Sequence, residues 1–331
     1  MNICVNNMYE LKEAYKFKKT HDGYVCVKHD GSVSTEDLFR LFDGMNDGGH
    51  IAVRIDNRLH SVRRVGNMFI GYVADPDIYD VMQYAIDTAL QNDQFELHYQ
   101  PQVDIVADKV VGAEALIRWN HPKYGAIPPM YFIPIAEQTG QIIPLGRWIL
   151  EQACREYTNW ASCLGEGVRM SVNISVKQLD DADFVPYMKS VLKAYGVNPS
   201  KFTVEITETV GPSNLEGMAD ILMQIREAGV DIAIDDFGIG YSALHYLHKL
   251  PIDRIKMDRS FTNSLHTKEG HIIARFLVDL AKNLNHGIIA EGVETRQQVE
   301  ILRNIGLREA QGYFYSPALP ASEFIAYAKA Q

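Results

Sequence analysis

The sequence predicts an α/β fold in which a small α+β unit, residues 1–78, precedes a closed (β/α)8 barrel of the TIM type over residues 79–331. Three observations carry this. From Phe95 onward, short apolar runs of strand length alternate with longer stretches of helical periodicity. Eight such runs occur, which suits a closed barrel, although an open doubly wound sheet is the other arrangement of the same pattern. A polar residue recurs at or near the carboxyl end of run after run, the face on which a barrel assembles its active site.

In the first unit, residues 24–27, 51–55 and 68–73 read as strands, and Ser34 or Thr35 caps a helix over 36–42. Asp56-Asn57 and Gly66-Asn67 supply turns, and Asp75-Pro76-Asp77 marks the boundary. His21, His29, His50 and His60 are scattered, so this unit has no chemical constellation, and both a regulatory or dimerising unit and a structural extension stay open for it. A helix through Val81, Ala85, Ile86, Ala89 and Leu90 leads into the runs FELHYQP, VGAEALIRW, VRMSVNIS, FTVEIT, IAIDDF, IDRIKMD, GIIAEGV and AQGYFYS. Helices are expected between them around residues 145–157, 185–195, 215–228, 272–284 and 296–305.

Composition narrows the function. The formal charge is −10 and there is no long Lys/Arg run, so neither duplex nucleic acid nor an anionic membrane surface is an expected partner. Cys4, Cys26, Cys154 and Cys163 form no CxxC pair, and no stretch has eighteen successive apolar residues. With no export signal at the N-terminus, a cytoplasmic protein is expected. An acidic protein that handles an anionic substrate needs local cations.

The chemistry centres on residues 232–244, IAIDDFGIGYSAL, a buried strand ending in Asp235 and Asp236 before Gly238 and Gly240. Two carboxylates about 4 Å apart repel by roughly 4 kcal/mol at an effective dielectric of 20, which a hard cation reverses. Strand side chains alternate faces, so these neighbours are expected to converge where the strand gives way to a loop. Glu114, Asn173, Glu205, Asp235, Lys256, Glu291 and Gln311 occupy matching places in successive runs. Unpaired charges buried there would cost several kcal/mol apiece, roughly, so the set is expected to face one site. Glu114, Asn173, Glu205, Asp235 and Asp236 offer oxygen ligands, which suit one or two Mg²⁺ or Mn²⁺ ions. Lys256 adds a fixed positive charge that can position a water and offset charge on a phosphoryl oxygen, a salt bridge to a neighbouring carboxylate being the plainer reading. Acidic ligands beside a lysine point to hydrolysis of a phosphate ester.

YQP (99–101), EALIRW (114–119), NIS (173–175), EITE (205–208), DDFGIGYSAL (235–244), KMDRSF (256–261), AEGVET (290–295) and QGY (311–313) together resemble, in order, the motif series of the EAL-domain cyclic di-GMP phosphodiesterases. The resemblance implies a TIM-like barrel that hydrolyses cyclic di-GMP to linear pGpG with Mg²⁺ or Mn²⁺, and a homodimer formed through the barrel. By the same resemblance Glu114, Asn173, Glu205 and Asp235 are metal ligands and Asp236 serves a second ion. Lys256 orients the attacking water, Glu291 supports the water of the first ion with Gln311 beside it, and Glu208 braces the loop after the aspartate pair. Gln100, Leu116, Arg118 and Glu294 match substrate contacts, with Asp258 a weaker candidate. Arg118 is chemically apt because its planar fork pairs with phosphate oxygens. Tyr313 is a further candidate, placed to stack on a guanine.

Two other readings use the same residues. A catalytically weak or inactive cyclic di-GMP receptor, acting through binding and oligomerisation, needs the pocket without turnover. Dinucleotide binding is suggested by Gly238-Ile239-Gly240-Tyr241-Ser242-Ala243, which fits GxGxxA, but Asp235 and Asp236 beside a pyrophosphate argue against it. His245 and His248 lack a third ligand nearby, and Trp119, Trp148 and Trp160 read as core anchors.

The departures from the family pattern are Ile239, where a threonine is usual, and Ala243, where a second serine is usual. Ile239→Thr is expected to raise turnover or metal affinity, as read by kinetics and cation titration. Unchanged values in both would remove this loop from the account.

Overall fold

The computed structural model describes residues 16–20, 23–28, 50–55, 58–65, 68–74, 85–122, 124–165, 167–207, 215–238, 247 and 249–331. The chain divides into two compact units, residues 1–88 and 89–331. In the first, β1 (Lys16–Thr20) and β2 (Gly23–Lys28) pair antiparallel, and β3 (His50–Ile55), β4 (Arg58–Val65) and β5 (Met68–Ala74) form an antiparallel meander. The three strands expected here fall within β2, β3 and β5. The helix expected at 36–42 lies outside the described residues.

The second unit is the barrel. Its staves are β6 (Phe95–Asp104), β7 (Lys109–His121), β9 (Arg169–Asn173), β10 (Phe202–Thr207), β11 (Asp231–Phe237), β12 (Arg254–Met257), β13 (Gly287–Ala290) and β14 (Glu309–Gln311), with the short β8 (Gly125–Ile127) and β15 (Leu319–Pro320) added to β7 and β6. Pairing runs β6-β7-β9-β10-β11-β12-β13-β14 and returns to β6, which closes the sheet. All eight expected runs are staves. The steps from β7 to β14 through β9 are parallel, so these strands are buried on both faces and read as continuous β-branched and aliphatic runs, as in Phe202–Thr207.

The first stave departs from an all-parallel barrel. β6 runs antiparallel to both β7 and β14. A link of four residues is too short for a crossover, which needs about a dozen, so the two strands form a hairpin. Asp104 sets the turn: its Oδ1 accepts from the N–H groups of Val106 and Ala107 at 2.8 and 2.9 Å, and Asp108 sits at φ 55°.

The helix α1 (residues 85–91) spans the division between the units, and around the barrel lie α2 (Pro129–Thr139), α3 (Ile142–Leu164), α4 (Val176–Leu179), α5 (Phe184–Tyr195), α6 (Leu215–Glu227), α7 (Arg259–Ser264), α8 (Lys268–Asn283), α9 (Arg296–Asn304) and α10 (Ala321–Ala330). Their apolar stripes face the sheet: α3 buries Leu145, Ile149, Ala153, Tyr157 and Trp160. Trp119 and Trp160 are core anchors as expected, the first among Phe95 and Phe132, the second between Tyr99 and Phe324; Trp148 is half-buried beside Phe95. Among the described residues no helix is long and apolar enough to cross a membrane.

The exits of β13 and β14 are stitched by backbone. Val293 N–H donates to Gln311 O at 3.1 Å and Phe314 N–H to Val293 O at 2.9 Å. Gly312 permits this approach, since a Cβ there would lie 2.2 Å from the Val293 backbone. Gly312→Ala is expected to destabilise the chain by about 1–3 kcal/mol in thermal unfolding. A wild-type melting temperature would show slack in this contact.

Candidate active site

The side chains that matter come from successive staves and converge inside the carboxyl-terminal half of the barrel. Asn173 ends β9, Glu205 and Asp235 lie within β10 and β11, Lys256 is the third residue of β12, Glu291 follows β13 and Gln311 ends β14. Glu114 differs from the expectation of a strand end. It lies mid-strand in β7, because that strand continues upward in its pairing with β6 and β8.

Lys256 is at the centre. Its Nζ lies 2.6 Å from Glu205 Oε2, 2.9 Å from Glu291 Oε1, 3.0 Å from Asp235 Oδ1 and 3.2 Å from Glu114 Oε2, at 1% side-chain exposure. Burial by itself would lower the lysine pKa, but Glu114, Glu205, Glu291 and Asp235 outweigh it and hold the ammonium well above its usual range. One positive charge does not balance these carboxylates. Burial and then the Glu114 charge push Glu205 well up, and burial carries Glu291 up to about 8 despite Lys256. Glu114 goes the other way: burial disfavours its charge, but Lys256, Gln311 and Asn173 together hold its carboxyl below the usual range.

Asp235 and Asp236 do converge, by a route other than the one expected. The strand does not stop before them; it bulges. Ile234 is level with Ile255 and Phe237 with Met257, so both aspartates stand against Lys256 alone. Asp236 takes a left-handed φ of 52°, a conformation that aspartate tolerates better than most residues, and its N–H donates to Asp235 Oδ1 at 2.9 Å. Asp236 is exposed, and partial loss of solvent, then the carboxylates of Asp235 and Asp258, push its carboxyl up to about 6.

Oxygen atoms of Glu114, Glu205 and Asp235 all lie within 4.8 Å of one another, and so do those of Asp235, Asp236 and Glu291. Asp235 belongs to both groups. Asn173 Nδ2 donates to Glu114 Oε1 at 2.7 Å, which keeps its Oδ1 as a ligand atom. An all-oxygen donor set with excess negative charge fits Mg²⁺ or Mn²⁺.

The other expected site residues divide by depth. Gln311 is buried, and its Nε2 donates to Glu114 Oε2 at 2.6 Å and to Gln100 Oε1 at 3.1 Å, so it orients a carboxylate from below. Leu116 and Arg118 share the face of Glu114 on β7 and are half-buried; Arg118 Nη1 donates to Ile117 O at 2.9 Å, and Tyr313, Glu114 and Glu96 are its charged or ionisable neighbours. Tyr313 is 72% exposed and Glu294 is exposed, both on loops above the barrel. Asp258 is buried and caps α7 by accepting from Ser260 N–H at 2.8 Å. Glu208, Ile239, Ala243, His245 and His248 lie outside the described residues. One residue that the sequence reading passed over is Gln102, buried level with Gln311, to whose Oε1 its Nε2 donates at 3.3 Å. The signal was its position two after Gln100, on the same strand face.

Comparison with known proteins agrees with this geometry. The EAL domain family model matches residues 83–318. The bifunctional diguanylate cyclase/cyclic di-GMP phosphodiesterase MucR of Pseudomonas aeruginosa is 34% identical over 316 residues, 93% of this chain and 46% of that protein. The oxygen sensor protein DosP of Escherichia coli is 38% identical over 73% of this chain and 30% of its own length, so the chain spans less than half of either relative. Among solved structures, the phosphodiesterase of MucR in complex with cyclic di-GMP superposes with a TM-score of 0.69 at 38% identity, covering 73% of this chain and 99% of that one. The EAL enzyme Bd1971 in its cAMP- and cyclic-di-GMP-bound form gives 0.72 at 32% identity, over 76% of this chain and 69% of that one. With the matched motifs standing where the barrel brings the carboxylates together, the chain belongs to the EAL domain family.

Proposed function

We propose that this chain hydrolyses cyclic di-GMP to linear pGpG with Mg²⁺ or Mn²⁺, lowering the level of a bacterial second messenger. The observation that carries the reading is the convergence of Glu114, Asn173, Glu205, Asp235 and Asp236 around the buried ammonium of Lys256. When bound, the ions supply Lewis-acid polarisation of a phosphoryl oxygen and activation of the attacking water. Lys256, fixed by four carboxylates, holds the position of that water and stabilises charge developing on the phosphoryl group. Glu291, whose carboxyl burial carries up to about 8, accepts a proton from the attacking water at a carboxylate oxygen, while the Lys256 ammonium 2.9 Å from its Oε1 stays protonated and offsets its charge. Arg118 on the face of Glu114 pairs with phosphate oxygens, Gln100, Leu116, Asp258 and Glu294 line the nucleotide, and Tyr313 stacks on a guanine. A homodimer forms through the barrel: α8 exposes Ile272, Ile273 and Phe276 on one face, an apolar patch suited to a second copy.

Purified protein is expected to release pGpG with Mg²⁺ or Mn²⁺, to stop in EDTA, and to lose at least about a hundredfold in kcat/KM as Glu114→Ala, the order of a lost charge-stabilising group. Tight binding of cyclic di-GMP without cleavage in either metal would make the chain a receptor instead.

The raised carboxyls predict a pH signature. Asp236 and Glu291 titrate near about 6 and about 8 in the folded, ion-free chain, against about 4 when unfolded. The folded state therefore holds more protons through that window, and its stability falls as pH rises from about 4 to about 8. Melting temperature in EDTA should decline between about pH 5 and pH 8, and the increment given by Mg²⁺ should grow over the same range. A flat profile under both conditions would count against an ion-binding role for this cluster.

A further inference from the structure

We infer that Gln102 is a positioning residue for this site: it fixes the amide of Gln311 so that a donor, and not a carbonyl, faces Glu114. The inference rests on the reading of Glu114 as a cation ligand and extends it to a side chain that touches neither ion nor substrate. Three glutamines form one chain of hydrogen bonds across the interior of β6 and β14. Gln100 Nε2 donates to the Ser316 carbonyl at 3.3 Å, Gln311 Nε2 donates to Gln100 Oε1 at 3.1 Å and to Glu114 Oε2 at 2.6 Å, and Gln102 Nε2 donates to Gln311 Oε1 at 3.3 Å.

The direction of this chain is fixed by its ends. A backbone carbonyl can only accept, which turns the amide nitrogen of Gln100 toward Ser316 and its oxygen toward Gln311. The Glu114 carboxylate, paired with the Lys256 ammonium at 3.2 Å, also only accepts. Gln311 must therefore spend its NH₂ on both, which leaves its carbonyl oxygen inside the barrel in need of a donor. Gln102, 4% exposed, is that donor. Without it Gln311 keeps a buried, unsatisfied carbonyl and gains by rotating toward any other donor, Lys256 included. Rotation presents oxygen to Glu114 Oε2 and repels the carboxylate from its place.

The backbone holds Gln102 for this purpose. It is level with Gln311 on one neighbouring strand and with Gly112 on the other. A Cβ at position 112 would stand 2.6 Å from Gln102 Oε1, so the glycine leaves room for the amide.

The test is Mn²⁺ affinity by titration of the whole 331-residue chain, as wild type, Gln102→Met, Gln311→Met, the double variant, Gly112→Ala and Glu114→Gln. Orienting partners of ligands typically contribute about 10- to 100-fold in metal affinity. Gln102→Met, which keeps volume and removes the donor, should weaken Mn²⁺ about tenfold or more, and Gly112→Ala should do the same by displacing the amide without changing it. Because Gln102 acts through Gln311, the double variant should be no weaker than Gln311→Met alone. Wild-type affinity in both Gln102→Met and Gly112→Ala, or losses at 102 and 311 that add, would overturn the inference while a weakened Glu114→Gln leaves the ion reading standing. Wild-type affinity in Glu114→Gln would overturn both. Should Gln102→Met fail to fold, the Gly112→Ala measurement decides alone.

Discussion

Lys256 sits at 1% exposure in the middle of a barrel, and what holds it there is the ring of Glu114, Glu205, Asp235 and Glu291 around its ammonium. Desolvating these charges is costly, and removing any one partner of such a buried set typically costs about 3–5 kcal/mol because the rest are left uncompensated. The staves are therefore not interchangeable. Each of β7, β10, β11, β12 and the exit of β13 must bring its charged side chain to the same height, where an ordinary barrel of this type would stack branched aliphatics. The hydrophobic work moves outward, to the contact between sheet and helices, where Trp119, Trp160, Phe132 and Phe202 are fully buried.

Bringing the groups to one height needs local departures from regular strand geometry. The bulge in β11 lets adjacent aspartates share a side, at the cost of a left-handed Asp236. The reversed β6 does something a parallel strand would not. It runs between β7 and β14 so that Gln100 and Gln102, two residues apart on one face, reach Gln311 on one neighbour while their strand pairs with Glu114 on the other. The hairpin at Asp104 and the amide chain are thus one construction.

Much of this was legible in the sequence. Eight apolar runs with polar residues near their ends are a strong pattern, since a barrel stave buried on both faces tolerates a charge only where a site uses it; Glu205 and Lys256 could be read that way. The eight motifs in order carried the family. What did not show were effects that depend on the partner strand. Antiparallel β6 follows from a link of four residues, yet a run of aliphatic and aromatic residues looks the same in either direction. The bulge has no composition of its own, because Asp235-Asp236 before Gly238 reads equally as a strand end. Gln102 reads as one more polar residue until Gln311, more than two hundred residues later, is placed beside it.

The two cations of the site are treated in opposite ways, and this separates their duties. Lys256 is buried, its ammonium surrounded by the carboxylates of the site. Arg118, two turns of the pleat above Glu114 on β7, forms no ion pair among the described residues; one nitrogen is committed to Ile117 O, leaving the rest of the fork as donors. An arginine left half-buried and unpaired beside an acidic centre is poorly explained by stability, since Glu96 and Glu114 lie near enough to bias it without engaging it. It is well explained by a bound anion. On the proposed reading, cations held by the carboxylates complete the charge balance that Lys256 leaves unfinished, and Arg118 offsets a phosphodiester bound above them.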